Sequence, residues 1–112
     1  MKIFLDDQWF LSGRYPGDDW HCVQTVQQAK ELLIGFRGSV TRMSLDGDLG
    51  DDQIEQGPDL VIWLCEQFYT ECNDFWPTES LTVHSRNSPK RDAMLSYAEN
   101  RLYNPRPGIV KS

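Results

Sequence analysis

Ser44-Leu45-Asp46-Gly47-Asp48-Leu49-Gly50-Asp51-Asp52 is the stretch on which the reading of this chain turns. Just upstream, Val40 to Leu45 alternates apolar with polar residues and includes β-branched ones, the pattern of a half-buried strand. That strand ends on an acid, Asp46, and gives way to a loop crowded with carboxylates and glycines. The start of the chain repeats the arrangement, because Lys2-Ile3-Phe4-Leu5 is a short apolar run that stops at Asp6-Asp7. If the two strands lie side by side and parallel, both acidic ends meet on one edge of a sheet. Chemistry is expected at that edge.

Between these two strands, Gln8 to Asp19 contains Gly13, Pro16 and Gly17 and keeps no helical period. It reads as a loop, with Trp9, Phe10 and Leu11 tucked onto the body. Trp20 to Gln24 reads as a second strand, and Thr25 three residues before Gln28 is a capping box that opens a helix. Val26, Ala29, Leu32, Leu33 and Phe36 recur at helical spacing as one apolar stripe, and Gly35 and Gly38 stop it.

Beyond the acidic loop, Pro58 suits the first helical position. Leu60, Val61, Leu64, Cys65 and Phe68 build the next stripe, with Trp63 and Tyr69 flanking it, and Pro77 closes the connection. Leu81 to Ser85 reads as the last strand. Ser88 then caps the last helix, Pro89 sits in its first turn, and Met94, Leu95, Ala98 and Leu102 supply its buried face. From Asn104 onward the prolines, glycine and polar residues read as a flexible tail, residues 104–112. Strands and helices that alternate in this way predict a single α/β domain over residues 1–103, with a short parallel sheet of about four strands and three main helices.

The whole chain bounds its function. Its 112 residues suffice for one domain and one core. Eleven Lys and Arg against seventeen Asp and Glu give a net charge of −6, the wrong sign for a protein that binds by neutralising many phosphates. Extended nucleic-acid binding is therefore excluded, while a nucleotide-sized ligand held by a metal or a local basic pocket, or a cationic protein partner, remains compatible. Cys22, Cys65 and Cys72 are odd in number and lack Cys-x-x-Cys spacing, so they read as reduced, mostly core-filling thiols. On one helix Cys65 and Cys72 would share a face roughly 10 Å apart, too far to bond. There is no secretory pattern and no apolar run near the roughly 20 residues a membrane span needs, so a cytoplasmic protein without a membrane segment is expected.

In a parallel sheet the polar strand ends converge: Asp6 and Asp7, Asp46 and Asp48, and His84, Ser85 and Asn87. Carboxylates about 4 Å apart at an effective dielectric near 20 repel by about 4 kcal/mol, so a divalent cation, a retained proton or a larger separation has to relieve them. Oxygen-only ligands from Asp6, Asp7 and Asp46 favour Mg²⁺ or Mn²⁺ over zinc. Ser85, Asn87 and Ser88 surround a helix start whose free N–H groups attract anions, and Arg86, Lys90 and Arg91 make this the densest positive patch. A phosphate bridged to the acids by a cation fits such an edge. His84 is the candidate general acid or base, although its alternation with Val83 also suits a structural place in a helix layer. Asp51, Asp52 and Glu55 read as solvated loop acids and His21 as structural. An EF-hand starting at Asp46 fails because Gly50 and Gly57 stand where oxygen ligands belong.

Lys2-Ile3-Phe4-Leu5-Asp6-Asp7, Ser44-Leu45-Asp46-Gly47-Asp48-Leu49-Gly50, Gly57-Pro58-Asp59-Leu60-Val61-Ile62-Trp63-Leu64 and Val83-His84-Ser85-Arg86-Asn87 together resemble the cyclic-phosphate-processing receiver-like domain, a trimmed relative of response-regulator receivers. The resemblance implies a flavodoxin-like, three-layer fold whose sheet is shortened at its far end and lacks the usual first helix. It also implies an edge that handles nucleotides or RNA ends bearing cyclic phosphates. Asp6, Asp7, Asp46, Asp48, His84, Ser85 and Asn87 would form the site, with His84, Asp46 and Asp48 as the catalytic set. The family pattern carries a His between the two central acids where this chain has Gly47, so metal or phosphate binding follows from the resemblance more firmly than catalysis does.

The leading expectation is Mg²⁺- or Mn²⁺-dependent binding or processing of a cyclic or terminal phosphate. An acidic interaction or inhibitor module on a receiver-like scaffold is the alternative. A third reading makes Asp46 a phospho-acceptor, which needs a lysine at the end of a fifth strand; no such unit is read after the last helix.

Overall fold

The first apolar run becomes strand β1, Lys2–Leu5, and is followed by β2 (Trp20–Val23), α1 (Val26–Gly35), β3 (Arg42–Leu45), α2 (Gly57–Thr70), β4 (Ser80–Val83), α3 (Ser88–Asn100) and β5 (Ile109–Lys111). The structure, a computed structural model, describes residues 1–11, 13, 15–50, 52–70, 75–84, 88–100 and 109–111. Asp51, Cys72, Ser85, Arg86, Asn87, Leu102 and most of the expected tail lie outside them.

The strands form one parallel sheet in the order β2-β1-β3-β4-β5. This is the doubly-wound order in which the chain leaves β1 toward one edge and returns toward the other, so the switch point falls between β1 and β3. Leu5 is level with Leu45, and Leu45 with Val83, so the next residues of the three strands, Asp6, Asp46 and His84, emerge side by side. The expected parallel neighbours β1 and β3 are thus present, and the receiver-like α/β fold with three helices is the fold of this chain.

Period-two burial along the strands shows where the core sits. Ile3 and Leu5, Met43 and Leu45, and Leu81 and Val83 are fully buried with Val26, Ala29 and Leu33 of α1, Leu60, Val61, Leu64 and Cys65 of α2, and Met94 of α3. The three helices therefore share one core on one face of the sheet, with α1 against β1, α3 against β4 and β5, and α2 between α1 and α3. Phe4, Ser44 and Thr82 alternate with these and belong to the opposite face, outside that core. Among the described residues no helix covers this second face, so the helices make one layer where the three-layer expectation has two. The cause is local: residues 6–19 connect β1 to β2 as turns and loop, without a helix among those described, as the glycines and proline there dictate.

α1 opens as expected. Thr25 accepts from the Gln28 N–H at 3.1 Å, and Gln28 Oε1 accepts from the Thr25 N–H at 3.2 Å. Phe36 departs from the expected stripe: it is the C-cap of α1 and 48% exposed, because the helix ends before that position can turn inward. Phe10 (59% exposed) and Leu11 (44%) likewise stand out from the loop rather than tucking in, whereas Trp9 is half-buried. His21, expected to be structural, is exposed on β2.

β5 is the largest addition. Ile109, Val110 and Lys111 pair with Leu81, Thr82 and Val83, so the last residues make an edge strand where a frayed tail was expected. Contrary to the expectation from sequence, a strand that ends in a lysine, Lys111, does follow α3. No helix among the described residues is long and apolar enough to cross a membrane.

Candidate functional site

Asp6 ends β1 and Asp46 ends β3, and parallel pairing brings them together: the Asp46 N–H donates to the Leu5 carbonyl at 2.8 Å. Asp7 follows Asp6, and one carboxylate oxygen from each of Asp6, Asp7 and Asp46 lies within 4.8 Å of the others. Asp6 is 1% exposed and Asp46 is also buried, so two of the three charges are held away from bulk water. At that separation and an effective dielectric near 20, each ionised pair repels by about 3.5 kcal/mol.

Backbone donors offset part of this. The Gln8 N–H donates to Asp6 Oδ1 at 2.8 Å, and the Asp48 N–H to Asp46 Oδ1 at 3.1 Å. Each is an Asx-type turn that fixes its carboxylate at the strand end. Three hard oxygen donors converging beside one another form a set suited to Mg²⁺ or Mn²⁺.

His84 completes the floor of the site. Its Nδ1 is 2.6 Å from Ser44 Oγ and its Nε2 is 3.2 Å from Asp6 Oδ2. One neutral tautomer satisfies both contacts, with the Ser44 hydroxyl donating to Nδ1 and Nε2–H donating to Asp6. The imidazole lies flat on Phe4, with ring centroids 4.4 Å apart and planes 8° from parallel. His84 therefore folds back over the helix-free face of the sheet. It does not enter a helix layer, and its Nε2 is directed at the acid cluster.

The loop after Asp46 is framed by side chains. The Gly50 N–H donates to Asp48 Oδ1 at 3.1 Å, and Lys90 from the first turn of α3 places Nζ 3.4 Å from the same oxygen. Among the described residues Asp48 is thus tied to α3 and is not one of the clustered acids. Gln56 clamps the loop: its Oε1 accepts from the Leu49 N–H at 2.7 Å, and its Nε2 donates to the carbonyls of Gly50 (2.9 Å) and Gln53 (2.8 Å). Glu55 is not simply solvated, because it pairs with Lys30 of α1 at 2.9 Å. Asp52 is exposed, as expected.

Gly57 begins α2 with no room for a side chain. A Cβ there would collide with the Asp46 carbonyl oxygen and lie 2.7 Å from Gly47 Cα. Gly47 itself is buried, and its carbonyl accepts from the Gly57 N–H at 3.2 Å.

The structure therefore brings Asp6, Asp7, Asp46 and His84 to one place, with Asp48 beside them. Ser88 opens α3, while Ser85 and Asn87 lie outside the described residues. Reading the sequence missed Ser44, Phe4, Gln56 and Lys30. Ser44 and Phe4 carried a usable signal, since strand alternation puts both on the face that His84 follows.

A family model described as Cyclic-phosphate processing Receiver domain matches residues 1–100 of the chain. Comparison with curated proteins and with solved structures gives no match.

Proposed function

The chain belongs to the cyclic-phosphate processing receiver domain family, and on that premise we propose that its acidic edge binds or processes a cyclic or terminal phosphate on a nucleotide or RNA end with the help of Mg²⁺ or Mn²⁺. The observation that carries this reading is the convergence of Asp6, Asp7 and Asp46 at the switch point of the sheet. Those three residues would hold the cation, which when bound supplies charge neutralisation for a phosphoryl group.

The chain's own groups have distinct tasks. Ser88 opens α3, and that helix start would offer N–H and hydroxyl donors to the phosphoryl oxygens, a task the family resemblance extends to Ser85 and Asn87. His84 handles a proton at Nε2, because Ser44 occupies Nδ1 and fixes the tautomer. Asp48 and Lys90 hold the loop beside α3. Gly47 brings no side chain to the centre of the site, so Asp46 and His84 are the groups left to assist catalysis. We assign the protein to the cytoplasm, a reading supported by Cys22 and Cys65 being thiols and not disulfide halves.

Calorimetric titration with Mg²⁺, followed by ³¹P spectra of a 2′,3′-cyclic nucleotide, tests the proposal. Asp46→Asn is expected to abolish both Mg²⁺ binding and turnover, and retention of both at wild-type levels would end it. A second reading is favoured by one observation: Lys111 ends β5 level with Val83, as phosphorylation of Asp46 would require. A stable phosphoryl adduct after incubation with acetyl phosphate, seen by intact mass and absent from Asp46→Asn, would select that reading.

A further inference from the structure

Next to the acid cluster, an open cleft of about 370 Å³ is lined by Trp9, Cys22, Val23, Gln24, Gln28, Glu31 and Leu32. It shares a wall with the cluster. The Asp6 N–H donates to the Val23 carbonyl at 3.0 Å, the Trp9 N–H to the Asp6 carbonyl at 3.4 Å, and Gln24 Nε2 to the Asp7 carbonyl at 3.2 Å. Three residues of the cleft are therefore bonded to the backbone of two of the three clustered acids.

The lining has the character of a site for a flat, polar-edged ring. Trp9 is half-buried, its ring braced by Phe10 and Tyr15 at centroid distances of 5.9 and 6.0 Å, and Val23 and Leu32 add apolar surface. Hydrogen-bonding capacity is divided by existing commitments. Gln28 Oε1 is used by the N–H groups of Gln24 and Thr25, which leaves its Nε2 as a donor. Gln24 Nε2 is used by Asp7, which leaves its Oε1 as an acceptor. Glu31 adds a carboxylate, and burial, with the Asp6 charge second, pushes the pKa of the Cys22 thiol up. A cavity in the usual size range for small ligands, with one aromatic wall and a few placed polar groups, suits a planar ligand with donors and acceptors on one edge. The Glu31 carboxylate, one oxygen of which also accepts from Gln27 Nε2 at 3.4 Å, together with Gln24 Oε1 favours a ring that presents an amino group.

We propose that this cleft is a nucleobase subsite, in which Trp9 stacks on the base and Glu31, Gln24 and Gln28 read an amino-bearing edge, while the phosphate of the same nucleotide lies at the acid cluster. The proposal rests on the phosphate reading above and names its substrate class as a nucleotide recognised through its base. Guanine, adenine and cytosine present the amino group; uracil does not.

The test separates the two readings. Binding of the four 2′,3′-cyclic nucleotides is measured with Mg²⁺ present, and Mg²⁺ affinity is measured on its own without nucleotide. Amino-bearing bases are expected to bind more tightly than uracil. Trp9→Ala should weaken their binding about tenfold, the scale of one base–aromatic stack, with Mg²⁺ affinity unchanged and Trp9→Phe largely restoring binding. Glu31→Gln, at an exposed position, should remove the preference over uracil. Mg²⁺-dependent nucleotide binding that is indifferent to base, to Trp9→Ala and to Glu31→Gln would overturn the subsite and leave the phosphate reading standing. Conversely, Trp9-dependent binding of an unphosphorylated nucleoside, in a protein that fails to bind Mg²⁺, would support the subsite and overturn the phosphate reading.

Discussion

Gly57 shows how closely a single position can be tied to the site. The atoms a Cβ would meet are backbone, the Asp46 carbonyl oxygen and Gly47 Cα, with Met94 Cε at 3.0 Å on the third side. Backbone cannot rotate away as a side chain can, so Gly57→Ala should cost about 3 kcal/mol by overpacking, read as a lower urea midpoint. Because the displaced group is the peptide that carries Asp46, the same variant should also weaken Mg²⁺ binding, which an ordinary core defect far from the edge would not do. The acids of the cluster were legible in the sequence because each terminates an apolar run, and a strand that stops on Asp at both β1 and β3 leaves few places for those carboxylates to go. For Ser44, strand alternation was enough to place it on the face that His84 follows, but not to pair it with His84. Its role depends on His84 folding back over Phe4, a rotamer choice that no local pattern encodes. Gln56 escaped because its three bonds, to Leu49, Gly50 and Gln53, follow from how the acidic loop folds back on itself, which no periodic pattern announces.

Elements differ in how much of their form was written locally. α1 was readable at its start because a capping box is a four-residue signal, and both of its reciprocal bonds are present. Removing one side of the box by Thr25→Ala should cost about 1 kcal/mol, measured by chemical denaturation, without altering Mg²⁺ affinity. Its end was less readable. Gly35 and Gly38 mark the stop, yet Phe36 between them looks periodic and is instead the exposed cap residue. β5 was illegible for a different reason. Three residues are too few to display a period, and Ile109-Val110-Lys111 follows a stretch whose prolines and glycine argue for a tail. Only pairing with the open edge of β4 makes it a strand, an instance of tertiary context overriding local preference. The helix-free connection between β1 and β2 was legible from Gly13, Pro16 and Gly17, but that it leaves the Phe4 face without a helix layer follows only from knowing the strand order.

For the molecule as a whole, the decisive feature is that the first strand of the chain lies inside the sheet. β1 is flanked by β2 on one side and by β3 on the other, so Asp6 and Asp46, forty residues apart in sequence, are neighbours only after the sheet is assembled. No contiguous fragment shorter than that interval contains the cation-ready trio. The exposed turn at Phe36, Arg37 and Gly38 lies between the two contributions and carries no part of the core. Splitting the chain after Arg37 should therefore yield two pieces that are each silent toward Mg²⁺ and that recover binding on mixing, as calorimetry of the separate and combined pieces would show. A piece carrying residues 1–37 alone that binds Mg²⁺ as well as the intact chain would contradict this. If the three acids hold Mg²⁺ as proposed, the strand order makes the site a built-in complementation assay, in which metal binding reports that two halves of one polypeptide have found each other.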